Sequence, residues 1–153
     1  MMVDKVKNIL NRNLIIIVVS VILQGLWEYI VCGLFYDTES INNMTSLMVE
    51  ATIGDVIITV TIFNLILIIN RSGKHSLNFI DILIVCLYGF SAAMVFETRA
   101  LAINRWVYSE IMGNFMGTGV GNIPILQLVL LLPLTFLIES SIVKFNNGRK
   151  GDQ

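Results

Sequence analysis

Apolar positions come in four long runs, at about 14–35, 47–70, 78–102 and 123–143, divided by shorter polar stretches. Each run is near the ~20 residues a helix needs to cross ~30 Å of hydrocarbon. Hydrocarbon offers no partner to a bare backbone amide, so all four are expected to be helices. The pattern predicts an all-α, polytopic integral membrane protein: one four-helix transmembrane bundle over 1–145, then a polar tail over 146–153 that is expected to be disordered. No small-residue cleavage site follows the first run and no lipobox precedes Cys32, so it reads as an uncleaved span.

Composition narrows the function classes. Of 153 residues 56% are hydrophobic and 14% charged, against about 25% charged in a soluble domain. A net charge of −1 gives no reason to expect nucleic acid as a partner. The chain has one histidine, His75, and two cysteines, Cys32 and Cys86, with no CxxC. No metal site and no cofactor are expected. The cysteines fall at different depths and are expected to pack rather than pair.

Basic residues set the expected orientation. Lys5, Lys7 and Arg12 precede span one; Arg71, Lys74 and His75 follow span two; Lys144, Arg149 and Lys150 follow span four. The loop after span one holds Asp37 and Glu39 and no base. Both termini are therefore expected on the cytoplasmic side of a cell membrane, with the first and third loops outside. Asn43-Met44-Thr45 matches a glycosylation acceptor in an outer loop, which in a prokaryote would mean nothing.

With this topology, Glu28, Glu50, Asp55, Glu97, Arg99 and Gln127 fall in one depth band toward the outer face. Asp81 and Glu139 sit at the inner span ends, where water is close. A charged side chain at the middle of a membrane helix costs roughly 2.5–3.5 kcal/mol on insertion scales, and such groups usually turn inward to a partner. Four helices bringing polar groups to one level predict an outward-facing pocket. The plainer alternative is acids wetted in the headgroup region, or acid–arginine pairs that only fix helix register.

Helical spacing sharpens the expectation. Gln24, Glu28 and Cys32 share a stripe on span one. Thr52, Asp55 and Thr59 share one on span two, and Gly89, Ala93 and Glu97 form a small-residue seam on span three. Arg99 lies about 200° round the helix from Glu97, so the two cannot pair. Asp55 or Glu28 is the expected partner of Arg99. The acids still outnumber the bases, and an acid without a full counter-charge is expected to bind a proton or a cation.

Two surface segments complete the picture. Arg105, Trp106 and Tyr108 after span three, and Trp27, Tyr29 and Tyr36 around the end of span one, form aromatic belts of the kind found at headgroup level. Arg105 has a planar fork suited to a lipid phosphate. Residues 113–121 hold four glycines, which predicts a tightly turning lid or re-entrant turn over the pocket. Pro124 suits the start of span four, and Pro133 is expected to free a carbonyl about one turn earlier and kink the helix.

The residues ETRAL (97–101), NRWVY (104–108), GVGNIPILQ (119–127) and VEATIGDV (49–56) resemble a widespread set of small four-span prokaryotic membrane proteins. The shared pattern is an acid–x–(Arg or His)–Ala segment, Arg-Trp-x-Tyr, Gly-Asp and Pro-x-x-Gln, here Glu97, Arg99, Ala100, Arg105, Trp106, Tyr108, Gly54, Asp55, Pro124 and Gln127. Gly113 and Asn114 stand where that pattern has a proline. The resemblance implies a four-span fold and carries no activity.

The functional expectation is an outward-facing acid/arginine pocket acting on a lipid or isoprenoid by acid–base chemistry. Glu97, Asp55 and Glu28 are the candidate catalytic residues. Arg99, Arg105, Trp106, Tyr108, Gln127 and Trp27 are the candidates for substrate binding. A membrane lipid is the expected partner, with a homodimer or larger membrane complex as further partners. The alternatives are a proton- or cation-coupled carrier, against which the apolar inner half speaks, and a non-catalytic subunit of a membrane complex.

Overall fold

The structure is a computed structural model that describes residues 2–37, 43–69 and 78–151, without the side chains of 2–5, Cys32, Gly33 and 148–151. Four helices follow in order: α1 (Met2–Phe35), α2 (Met44–Ile69), α3 (Phe79–Ala102) and α4 (Asn122–Gly151). All four are long and apolar enough to cross a membrane. The chain is an all-α four-helix bundle of that kind. Two helices outrun the apolar runs. α1 includes the polar residues 2–13, and α4 continues to Gly151, so the tail expected to be disordered is helical over 146–151. Glu39, Arg71, Lys74 and His75, which enter the orientation argument, lie outside the described residues, as does the side chain of Cys32.

The bundle is apolar outside and polar within, as a lipid solvent demands. Leu14, Val18, Val21, Ile22 and Leu26 of α1 are exposed, while Arg12, Ser20, Gln24 and Glu28 on its opposite stripe are buried. Packing is uneven round the ring. α1 packs on α2 and on α4, and α3 packs on α4, but α2 and α3 scarcely touch. Gly89 allows the closest α3–α4 approach: a Cβ there would lie 2.7 Å from the Leu128 carbonyl oxygen.

At the end of the bundle that carries the termini, the structure departs from the expected apolar inner half. Arg12 donates from Nε to Glu139 Oε1 at 2.5 Å and from Nη2 to Oε2 at 3.1 Å. Glu139 is 1% exposed and Arg12 7%, so this pair is not wet. Arg12 also lies 5.1 Å over the Phe63 ring, which packs on Phe136. Beside it Asn13 and Asn64 exchange amide hydrogen bonds of 3.2 and 2.8 Å, tying α1 to α2. Asp81 is buried too. It closes a capping box with Asn78, each side chain accepting from the other's backbone N–H.

α4 runs through Pro133 without a break. Proline at this position leaves the Val129 carbonyl without its helical N–H. The Cys86 thiol faces that oxygen at 3.6 Å and donates to it, so a packing cysteine also answers the freed carbonyl.

Removing one partner of a buried ion pair strands the other charge, at a cost of about 3–5 kcal/mol. Glu139→Gln is expected to lower unfolding stability toward that range in a detergent unfolding titration. Arg12→Met combined with Glu139→Leu is expected to recover most of the loss.

Candidate functional site: a carboxyl-lined cavity between α2 and α3

The site begins with the end of α3. Ile103 is the C-cap, and Asn104 follows at φ 51°, in the left-handed region. The Arg105 N–H bonds to Ala100 O and the Asn104 N–H to Leu101 O, which together make a Schellman turn with asparagine in place of glycine. The turn reverses the chain so that 105–109 runs back beside the end of α1. There Asp37 N–H donates to Val107 O at 2.9 Å and Ser109 N–H to Phe35 O at 3.0 Å. Tyr36 packs edge-on against Trp106 and Tyr108, at 6.1 and 5.5 Å between ring centroids.

This placement turns two surface aromatics into donors. Trp106 Nε1 donates to Glu97 Oε2 at 3.1 Å, and the Tyr108 hydroxyl donates to the same oxygen. Glu97 is buried, with both hydrogens coming from uncharged side chains. Burial, reinforced by the Glu97 carboxylate, pushes the Tyr108 phenol well above its ordinary value of 10. Tyr108 therefore remains a donor throughout the physiological range.

The second cluster comes from three other helices. Gln127, one turn into α4, places Nε2 3.0 Å from Gln24 Oε1, 2.8 Å from Glu28 Oε1 and 2.8 Å from Asp55 Oδ2. Gln24, Glu28 and Gln127 are buried, and Asp55 is half-buried. Thr59 bonds back to the Asp55 carbonyl, not to its carboxylate.

A cavity of about 190 Å³ lies between α2 and α3, backed by α1 and α4. Glu28, Asp55, Glu97 and Gln127 line it, with Met44, Met48, Ile58 and Phe96 as apolar wall and Arg105, Glu50 and Trp106 at its mouth. α2 and α3 make few contacts with each other, and residues of both line the cavity. Arg105 ion-pairs with Glu50 and lies 5.6 Å over the Trp106 ring. A second groove of about 500 Å³, mostly apolar, runs along α1 and α2 past Gly25 and Tyr29.

The structure thus brings Glu97, Asp55, Glu28, Gln127, Arg105 and Trp106 round one cavity, with Tyr108 behind Glu97. Two of the expected side chains stand elsewhere. Arg99 is exposed and forms no ion pair with Asp55 or Glu28; its position round α3 points it away from the seam that carries Glu97. Gln127 occupies the place expected for it. Trp27 does not line the cavity, and its Nε1 is buried without a partner among the described residues. The glycine-rich segment is not a lid. Residues 113–122 close a tight turn on themselves, with Phe115 N–H bonded to Val120 O and Asn122 N–H to Gly113 O, and none of 113–121 lines the cavity. Gly117 and Gly119 take φ 75° and 84° there. Sequence reasoning missed Gln24, which shares the stripe of Glu28 and joins the Gln127 cluster; that spacing was its signal. Among the described residues no three or more His, Cys, Asp or Glu side chains are grouped closely enough to hold a metal ion. Comparison with protein-family models, with curated proteins and with solved structures finds no match to this chain.

Because the phenol ionises more readily once unfolded, Tyr108 contributes stability below pH 10 that is lost as pH rises beyond it. Tyr108→Phe is expected to weaken the fold at neutral pH and to flatten this alkaline decline, as read from unfolding midpoints across pH 8–11.

Proposed function

We propose that this chain draws the polar end of a lipid or isoprenoid into the cavity between α2 and α3 and acts on it by acid–base chemistry. The observation that carries this reading is one cavity with apolar walls, lined by the carboxyl side chains of Glu28, Asp55 and Glu97, with Arg105 and Trp106 beside them. At about 190 Å³ it has room for a headgroup or a short piece of chain; a cavity of about 150 Å³ holds one benzene. Glu97, steadied by two neutral donors, is placed to take a proton from the ligand. Asp55 or Glu28 returns one, so the proton balance closes without an external acid. Arg105 and Trp106 at the mouth meet the headgroup, and the exposed Arg99 adds charge at the same level. The basic residues near the spans favour both termini in the cytoplasm, and the resemblance to small prokaryotic membrane proteins favours a prokaryotic cell membrane; a reporter fused after Gln153 reads the orientation directly.

General acid–base groups are commonly worth about 10²–10⁴-fold in rate. In a deletion strain, mass spectrometry of total membrane lipids is expected to show one species accumulating. Wild type should clear it, and Glu97→Gln should clear it slower by a factor in that range. An unchanged lipid profile, or full rescue by Glu97→Gln, removes the reading.

One observation favours a second reading, a proton- or cation-coupled carrier. The other half of the bundle is not bare: Arg12, Glu139, Asn13 and Asn64 form a polar cluster there, and Ser20, Thr59 and Thr135 are fully buried in between. Ile16, Phe63, Leu132 and Phe136 stand across the path as an apolar barrier. Thiol labelling at residues engineered to cysteine on either side of that barrier separates the readings, since only a carrier opens both sides to water. A homodimer or a larger complex would cover the apolar outer faces in either case.

A further inference from the structure

The carboxyl cavity is small. At about 190 Å³ it takes a polar end and little more, so the rest of a lipid has to lie elsewhere. The groove between α1 and α2 offers about 500 Å³. It shares two lining residues with the cavity, Glu28 and Met48. Met48 is half-buried. Its side chain is unbranched, with three rotatable bonds, so it can yield to a ligand that reaches from one space into the other.

Helix register gives the groove a polarity. Asn13 bonds to Asn64, and a Cβ on Gly25 would lie 3.9 Å from Thr52 Cγ2, so α1 and α2 run antiparallel with Tyr29 level with Met48 and Val21 level with Val56. Glu28, Tyr29 and Thr45 therefore lie toward one end of the groove, and Val21, Val56 and Ile57 toward the other. From Thr45 to Ile57 the groove follows α2 for ~18 Å, close to the ~15 Å of hydrocarbon in one leaflet. Spread over that length, its volume is a channel ~6 Å across, too narrow for a helix of ~10 Å. By the measure of about 150 Å³ for one benzene, it holds a chain on the order of twenty carbons. The shape is that of one straight hydrocarbon chain with its polar end toward the acids.

We propose that the groove between α1 and α2 seats one straight acyl chain of a membrane lipid whose polar end, a hydrogen-bond donor, lies in the carboxyl cavity. A chain that moves from bilayer to groove gains no hydrophobic energy, since it leaves one hydrocarbon surrounding for another. The polar end therefore has to select the ligand. Glu28, Asp55 and Glu97 present carboxyl oxygens there, which accept hydrogen bonds, and Arg105 is already paired with Glu50. A hydroxyl at the polar end fits this lining, and a further carboxylate does not. Gly25 is the specificity residue for the tail, because its missing side chain leaves the groove open beside Thr52. The inference deepens the reading above by naming the ligand's tail and polar end, and it rests on that reading for the cavity as the seat of the polar end.

Photolabelling of the purified full chain in lipid nanodiscs tests it, with a long-chain monoacylglycerol carrying a diazirine at mid-chain. Labelling is expected to saturate and to map to the groove residues of α1 and α2. Unlabelled monoacylglycerol should displace the probe, and the fatty acid of the same chain length should do so several-fold less well. Gly25→Leu should lower the labelling several-fold, while Val18→Leu, on α1 outside both spaces, should leave it unchanged. Because a leucine at Gly25 also presses on Thr52, Ile57→Trp gives a second measurement. Ile57 is exposed, and added bulk at the apolar end should shift displacement toward shorter monoacylglycerols. Label spread without saturation over the outer faces of all four helices means bulk lipid and overturns the proposal. So does stronger displacement by an isoprenoid alcohol, equal displacement by the fatty acid, wild-type labelling of Gly25→Leu, or an unchanged chain-length preference in Ile57→Trp. A disulfide between two copies carrying Val49→Cys gives the groove to a second chain and overturns it equally. Labelling is read without turnover. Saturable groove labelling in a chain that clears no lipid species therefore overturns only the reading above, and clearance with unsaturable labelling overturns only this one.

Discussion

α1 and α4 are tied at both ends by buried polar contacts, and the rest of the bundle is arranged round that seam. At one end Arg12 holds Glu139 through two hydrogen bonds; at the other Gln127 meets Gln24 and Glu28. On α1 these groups lie on one stripe, with Arg12 and Glu28 sixteen residues apart, or roughly 24 Å along the helix. Packing in lipid lacks a hydrophobic driving force between helices, so fixed polar contacts and close backbone approach have to set the register. The two ties fix the sliding of α1 against α4. Gly89 then seats α3 against the Leu128 carbonyl, and the Asn13–Asn64 exchange seats α2 against α1.

With α2 held to α1 and α3 held to α4, neither needs the other, and the gap between them becomes the cavity. Its polar floor is supplied by the seam itself, since Glu28 and Gln127 belong both to the α1–α4 tie and to the cavity lining. A stabilising contact and a candidate reacting group are thus the same side chains. This explains why the carboxyls can be buried at all: each is anchored to an amide or an aromatic donor that the fold requires for other reasons.

The end of α3 shows how local chemistry reaches the site. The Schellman turn at Asn104 is set by sequence-local hydrogen bonds, but its result is not local. It delivers Trp106 and Tyr108 to Glu97, nine and eleven residues earlier in the chain. Pairing with Phe35 and Asp37 then holds the returning strand over α1. The aromatic residues have the interfacial character their types suggest, and they also serve as the donors that let an acid be buried in α3.

Hydrophobic run length determined the four helices, because lipid leaves a spanning backbone no other way to satisfy itself. Helical spacing likewise made the depth band of Glu28, Asp55, Glu97 and Gln127 legible, along with the separation of Glu97 from Arg99. Tertiary structure decided the pairings, since charge and depth do not say which helices are neighbours. Gln127 rather than Arg99 meets Asp55, because the ring order puts α4 beside α1 and Arg99 on an outer face. Glu139 reads as a wet charge at a span end and Arg12 as a basic flank of span one, yet α1 extends beyond its apolar run and brings Arg12 to Glu139 in a dry seam. The glycine-rich segment reads as a lid or a re-entrant turn, yet its own backbone hydrogen bonds close it on itself and none of 113–121 lines the cavity. A one-dimensional pattern fixes depth and face; which faces meet depends on packing among all four helices at once, and that is where the site is made.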